Sequence, residues 1–296
     1  MELYIILLYI LIFCVGLLFG SFLNLVSDRS VNGEPILVGR SHCGTCKKPL
    51  SPIDLVPLLS FMFNRGKCRY CKDKLSYIYP LSEFVTGLVF VILAYFSKVL
   101  EINNLNVLLS FLYLMGVACF YIILFLTDIK YRLIPNKVVL SAIGFVFVGM
   151  LVLLVVRYGG MYINLSNDSF GKYLLKTDFL QSQVLNSLKS IGFTLISTIG
   201  IASFFIFLIW VTKGKGMGGG DVTLGILIGL FNGFPNNIIA IFLGFVFGSL
   251  VSLLLILVRK KTLKDTVPFG PFLILGSVVA YFWGAQLLNT YFNLFP

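Results

Sequence analysis

A chain of 296 residues that is 58% hydrophobic and only 12% charged, with a mean hydropathy of +0.97, is excluded from the ordinary soluble domains and reads as a protein that crosses a membrane several times. Its net charge of +11 does not point to nucleic acid, because the basic residues are dispersed along the connections and are not interleaved with exposed aromatics.

A hydrocarbon core about 30 Å thick takes roughly 20 apolar residues per helix. In chain order the runs expected to span it are 3–26, 80–96, 107–126, 138–156, 191–211, 238–258 and 268–287. An eighth, 222–231, is about half the usual length. It is kept as a span because the lysine-rich segments around Lys215 and Lys260 share one face only if the chain crosses twice between them. The first run is too long for a secretory signal, carries Glu2 where a signal is positive, and lacks a small-residue cleavage site, so it reads as a retained helix. The expected fold is an all-α polytopic membrane protein with about eight transmembrane helices and a small loop domain between the first and second.

Charge orients this arrangement. With the N-terminus outside, eighteen Arg and Lys residues fall on inner connections and five (Lys98, Arg157, Lys172, Lys176, Lys189) on outer ones, as the positive-inside bias requires. The basic excess is thus mostly topological, with attraction to anionic inner-leaflet lipid as a consequence.

The inner loop 27–79 carries "CGTC" at 43–46 and "CRYC" at 68–71. Two such pairs match a four-cysteine zinc site, each tight turn delivering two thiolates to one tetrahedral ion. Two disulfides are the alternative, but thiols stay reduced on the cytoplasmic side, which favours metal. His42 adjoins Cys43 as a spare-ligand candidate or a bystander, and Cys14 and Cys119 read as small core residues within helices. The outer segment 158–189 is polar with scattered apolar residues; its last part has helical spacing, suited to lying on the membrane surface. No internal repeat is evident.

Of the twelve acidic residues, three stand at helix ends: Glu83, Asp128 in "FLTDIKYRLIPN" and Asp221 in "GKGMGGGDVTLG". An ionisable group at the membrane edge is a functional candidate, since desolvating it costs free energy. Either aspartate alone reads equally as a helix cap. Together, with Gly218, Gly219 and Gly220 before one of them, they suggest more: glycines let a second extended backbone approach, and two facing carboxyls tend to share one proton. Such a pair hydrolyses an amide, one member activating water and the other polarising the carbonyl. No H-E-x-x-H occurs, and His42 is the sole histidine, so serine, cysteine and zinc protease chemistry fit poorly. Two other classes stay open: an ion-coupled transporter with acids beside broken helices, and a zinc-bearing scaffold whose acids are caps.

The succession of "GSFLNLVSDR" (20–29), the paired cysteines, "YPLSE" (79–83), Asp128 with "IPN" (134–136), "GGGD" (218–221) and "PFGPFL" (268–273) resembles the bacterial type IV prepilin peptidases, members of the GxGD aspartyl proteases. The resemblance implies Asp128 and Asp221 as the catalytic pair, supported by Gly218 and Gly220, and Cys43, Cys46, Cys68 and Cys71 as the zinc-type cysteines. It implies three regions: a first helix 1–26, a cytoplasmic four-cysteine loop 27–79 associated with methyl transfer, and a peptidase core 80–296 holding the insertion 158–189. It also implies cleavage of a basic leader from prepilins or pseudopilins after glycine, at the inner face of the bacterial cytoplasmic membrane. Methylation of the new N-terminus with S-adenosylmethionine is the second implied activity. Glu83 stays ambiguous between a helix-end cap and a participant in that second activity, and the cysteine loop between a purely structural platform and a part in methyl transfer.

Overall fold

A computed structural model describes residues 2–36, 39–101, 104–214, 216–258 and 267–294. Lys215 and the basic cluster Arg259, Lys260, Lys261 and Lys264, used to orient the chain, lie outside the described residues. Ten helices organise the described chain: α1 (Glu2–Asn32), α2 (Leu59–Phe63), α3 (Ile78–Ser97), α4 (Leu105–Tyr131), α5 (Asn136–Asn167), α6 (Ser169–Leu175), α7 (Phe179–Thr212), α8 (Gly219–Asn232), α9 (Asn236–Leu257) and α10 (Gly270–Leu294). Seven of them (α1, α3, α4, α5, α7, α9 and α10) are long and apolar enough to cross a membrane. The chain is a multi-pass membrane protein.

The expected eighth span is α8, and its 14 residues reach about 21 Å, well short of the roughly 30 Å hydrocarbon core. Conversely, α5 has 32 residues and α7 has 34, so each extends to about 50 Å. The segment 158–189 is therefore largely a continuation of these two helices. The stretch from Phe179 runs unbroken into the span, which corrects the expectation of a separate helix lying on the surface. Where α5 and α7 overrun the bilayer they stay paired: the Tyr158 hydroxyl donates to the Gln183 carbonyl at 2.9 Å and also meets the Ser187 hydroxyl. Between them Asp168 accepts a hydrogen bond from the Gly171 amide at 3.0 Å and starts α6. α7 ends as helices commonly do, with Lys213 and Gly214 in left-handed conformations and their amides returned to Trp210 and Ile209.

The chain divides into two compact units, 1–127 and 128–296. In the first, α1 packs along α3 so closely that a Cβ on Gly16 would fall 2.7 Å from the Gly87 Cα. Lipid gives helices no hydrophobic reason to associate, so this kind of close backbone packing supplies the attraction. Polar groups lock the ends next to the cysteine loop: Asn24 donates to Ser82 Oγ at 2.7 Å, and the Tyr79 hydroxyl to Asp28 at 2.9 Å. Arg29, 5% exposed, turns back from the end of α1 and donates to the carbonyls of Pro35, Ile36, Gly39 and Arg40, fixing the start of the cysteine loop.

In the second unit α8 lies in the middle, packed against α5, α7, α9 and α10, with Leu224, Leu227 and Ile228 fully buried. α9 and α10 approach even more tightly: a Cβ on Gly276 would meet the Ala240 carbonyl oxygen at 2.4 Å. A helix too short to span is thus buried among its neighbours.

Candidate active site and metal centre

Asp128 and Asp221 both belong to the second unit, and the Asp221 carboxyl lies close enough to act electrostatically on that of Asp128. Asp128 occupies the last turn of α4, the negative end of the helix dipole, which is a poor place for an anion. The defect is offset from outside: the amide of Gly270, which opens α10, donates to Asp128 Oδ2 at 2.9 Å. The first amides of a helix have no partner within it, so one of them is available for this purpose. Asp128 is 6% exposed, so little water competes for it.

Asp221 sits in the first turn of α8, at the positive end. Its Oδ2 accepts from the Gly218 amide at 3.1 Å. That is the back-reaching half of a capping box; the forward half is missing because glycine has no side chain. The cap reading of Asp221 is therefore part of the truth: it caps, and it remains half-buried facing Asp128.

The glycines differ from expectation. Gly218 is extended at φ −95° and ψ 162°, and Gly219 and Gly220 already belong to α8, so none of the three needs a left-handed conformation. Their smallness matters instead. A Cβ on Gly220 would lie 2.9 Å from the Ile134 Cβ, whereas Gly218 and Gly219 face open space. Gly220 allows close packing, and Gly218 and Gly219 leave room beside Asp221. Sequence reasoning missed Gly270. The motif "PFGPFL" was visible, but only the fold brings its amide to Asp128, where a Cβ would fall 2.7 Å from the carboxyl oxygen.

Glu83 does not join the aspartates. It belongs to the first unit, is 9% exposed on α3, and its Oε2 accepts from the Leu58 amide at 2.9 Å. Leu58 has φ 58° and ψ −48°, the centre of a tight turn closed by the Leu59 amide on the Pro57 carbonyl at 2.6 Å. An L-residue in this region is strained, and the Glu83 hydrogen bond helps hold it there.

The four cysteines Cys43, Cys46, Cys68 and Cys71 converge, with all four sulfurs within 4.8 Å of one another and Cys43 Sγ 3.9 Å from Cys71 Sγ. Tetrahedral zinc with Zn–S bonds of about 2.3 Å puts sulfurs about 3.8 Å apart, so the group could hold such an ion. None of the four is in a disulfide. His42 is not in the cluster; its Nε2 faces Glu34 Oε1 at 4.0 Å.

The two cysteine turns are copies of one another, a repeat too short to stand out in the sequence. Cys43 and Cys68 each donate their amide five residues ahead, to Lys48 at 3.0 Å and Asp73 at 2.8 Å. Each also accepts from the residue after the second cysteine, Lys47 or Lys72, both with positive φ. Flanking bridges, His42 with Pro49 and Lys67 with Lys74, close both turns. Thr45 donates to Asp73, tying the copies together. A backbone hydrogen bond at Asp73 favours the Cys71 thiolate, but desolvation and the three crowding thiols outweigh it and push the thiol up to about 11. An ion that displaces those protons would relieve the crowding.

Comparison with known proteins agrees with both halves. Residues 14–97 match the profile of the bacterial peptidase A24 N-terminal domain, and residues 115–253 that of the type IV leader peptidase family. The chain is 28% identical over 288 residues to the prepilin leader peptidase/N-methyltransferase of Bacillus subtilis (strain 168), covering 96% of this chain and 98% of that one. It is 26% identical to the protein of the same name from Pseudomonas putida (92% and 90% covered) and 25% identical to that of Pseudomonas aeruginosa (94% and 91%). No solved structure matches it. With the two profiles matched one after the other along the chain, the chain belongs to the type IV leader peptidase family.

Proposed function

We propose that the protein is an aspartyl endopeptidase that removes the basic leader of type IV prepilins or pseudopilins after glycine, and that it then methylates the exposed N-terminus. The observation that carries the proposal is the pairing of Asp128 and Asp221, residues far apart in the chain, each bound by a backbone amide at a helix start.

In this reading one carboxylate takes a proton from water, whose oxygen attacks the scissile carbonyl, while the other, protonated, donates to that carbonyl oxygen. Collapse of the tetrahedral intermediate breaks the C–N bond, and the nitrogen leaves with a proton from the pair. The open space at Gly218 and Gly219 suits an extended peptide beside Asp221. A leader retained in the cytoplasm and joined to an apolar helix would present its bond at the inner face of the bacterial cytoplasmic membrane, the side on which the positive-inside bias puts both acids. S-adenosylmethionine supplies the methyl group of the second activity. Cys43, Cys46, Cys68 and Cys71 would hold a structural zinc ion that fixes the loop. Ion-coupled transport and a catalytically silent scaffold are disfavoured by the family.

The test is cleavage of a co-expressed prepilin by wild type, Asp128→Asn and Asp221→Asn, with mass spectrometry of the new N-terminus. Each substitution keeps an oxygen to accept its backbone hydrogen bond, so folding should persist while cleavage falls by about 10²–10⁴-fold or more. Cleavage by either variant at the wild-type rate would sink the dyad.

A further inference from the structure

Outside the spanning helices, the cysteine loop exposes a group of large apolar side chains. Phe63 is 82% exposed, Ile53 and Met62 70% each, and Leu59 is half exposed. Ile53, Val56, Leu59 and Phe63 line one groove of about 420 Å³. Leu59 and Phe63, four residues apart, share a face of α2. So much contiguous apolar surface is unusual on a domain surrounded by water and marks a contact with something else.

The polar groups of the groove are already engaged. Asp54 accepts from the Ser51 amide and hydroxyl and from the Tyr70 hydroxyl, and it faces Arg69 at 3.8 Å. Asn64 donates to the Ser60 carbonyl at 2.8 Å. A polar small molecule therefore finds little to bind, although the space is of ligand size. The lining suits an apolar occupant.

The level of the groove against the spans says which one. α3 has 20 residues and rises about 30 Å, so to cross a hydrocarbon core of about that thickness it must be immersed from end to end. Two contacts tie α2 to the start of α3. The Phe61 ring meets that of Tyr77, the residue before α3, with centroids 5.4 Å apart, and the Leu58 amide donates to Glu83 in the second turn. α2 thus lies beside the first turns of α3, where headgroups give way to acyl chains. The charge of the loop agrees: residues 47–77 hold seven Lys and Arg against two acids, Asp54 and Asp73. Arg69, which lines the groove, keeps half its side chain exposed.

We propose that this face of the cysteine loop is seated in the membrane surface, with Ile53, Leu59, Met62 and Phe63 among the acyl chains and the surrounding basic residues on anionic headgroups. A substrate with a basic leader is repelled by the positive charge that draws anionic lipid, and a second copy would set like charge against like. The proposal is independent of both activities assigned above.

The experiment uses the full-length, zinc-loaded protein in nanodiscs of phosphatidylcholine and phosphatidylglycerol whose acyl chains carry a photoactivatable diazirine close to the ester. Mass spectrometry should find residues 52–64 labelled as readily as residues 80–90 of α3. In the double variant Met62→Ser, Phe63→Ser that label should fall about tenfold, with zinc content and melting temperature kept, because both side chains project from the loop. In discs of phosphatidylcholine alone the wild-type label should fall about threefold, and the difference between the two lipids should vanish at about 1 M salt. Residues 52–64 left unlabelled while residues 80–90 are labelled would overturn the proposal. Protein cross-links from this face to a second copy or to prepilin in place of lipid would do the same, and a label indifferent to lipid charge would overturn the part given to the basic residues.

Discussion

The most informative substitution is Gly270→Ala. The added methyl would start 2.7 Å from Asp128 Oδ2, where ordinary contact begins near 3.4 Å, so carboxyl and helix start must separate by about 0.7 Å. Leu224, 3.4 Å away on another side and fully buried, leaves no easy escape. The amide that binds Asp128 is still present in alanine, so the change is one of position and not of chemistry. Misplacement by about 1 Å can cost about 10²-fold, so kcat for leader cleavage should fall about 10- to 100-fold, equivalent to about 1.4–2.7 kcal/mol in the barrier. Overpacking costs about 1–3 kcal/mol of stability, with up to about 1 kcal/mol returned by the better helix former. The assay is steady-state cleavage of a synthetic prepilin in nanodiscs, with thermal unfolding alongside. Gly218→Ala is the contrast: its methyl meets nothing in the protein, so folding and kcat should hold while KM rises about 3- to 10-fold, the signature of lost substrate binding. Wild-type kcat in Gly270→Ala with an unchanged melting temperature would refute the role given to this helix start.

Purified protein should carry one zinc ion per chain, and Cys43→Ser or Cys68→Ser should lose most of it, as read by elemental analysis and limited proteolysis of residues 40–75. Asp54 gives a pH signature. Burial would raise its carboxyl, but the Ser51 hydroxyl and amide, the Tyr70 hydroxyl and Arg69 together hold it below the usual carboxylate range. Its folded pKa is thus depressed, so its contribution is present above the unfolded value of about 3.9 and is lost as pH falls through the folded one. Hydrogen exchange across residues 51–70 should accelerate below about pH 4 in wild type, and Asp54→Asn should remove that dependence. Gly276→Ala should destabilise the pairing of α9 and α10 by about 1–3 kcal/mol, seen as a lower unfolding temperature, because its Cβ would strike the Ala240 carbonyl.

Much of this was legible in the sequence, for reasons that differ by feature. Spans announce themselves by length and apolarity, and the cysteine pairs by a spacing that one ion explains. Asp128 and Asp221 stood out because carboxyls at helix ends in so apolar a chain are costly to keep. The overrun of α5 and α7 past the bilayer was hidden because residues 158–167 and 179–190 are polar enough to read as loop, while helix formation there is sustained by pairing through Tyr158 and Ser187. The role of Gly270 was hidden for a different reason: a hydrogen bond from a backbone amide leaves no trace in residue identity. Glu83 kept its ambiguity because its partner, the Leu58 amide, is likewise a main-chain group.

Holding both aspartates with peptide amides also bears on how far such a protein can drift. A side-chain donor can be lost in one mutation and can change protonation with pH, but an amide survives every substitution except proline and keeps its polarity in acid and base alike. What must be inherited is the placement of two helix starts and the absence of a side chain at Gly270. That is a small demand on the genetic text, and it is compatible with relatives that agree at only about a quarter of their positions.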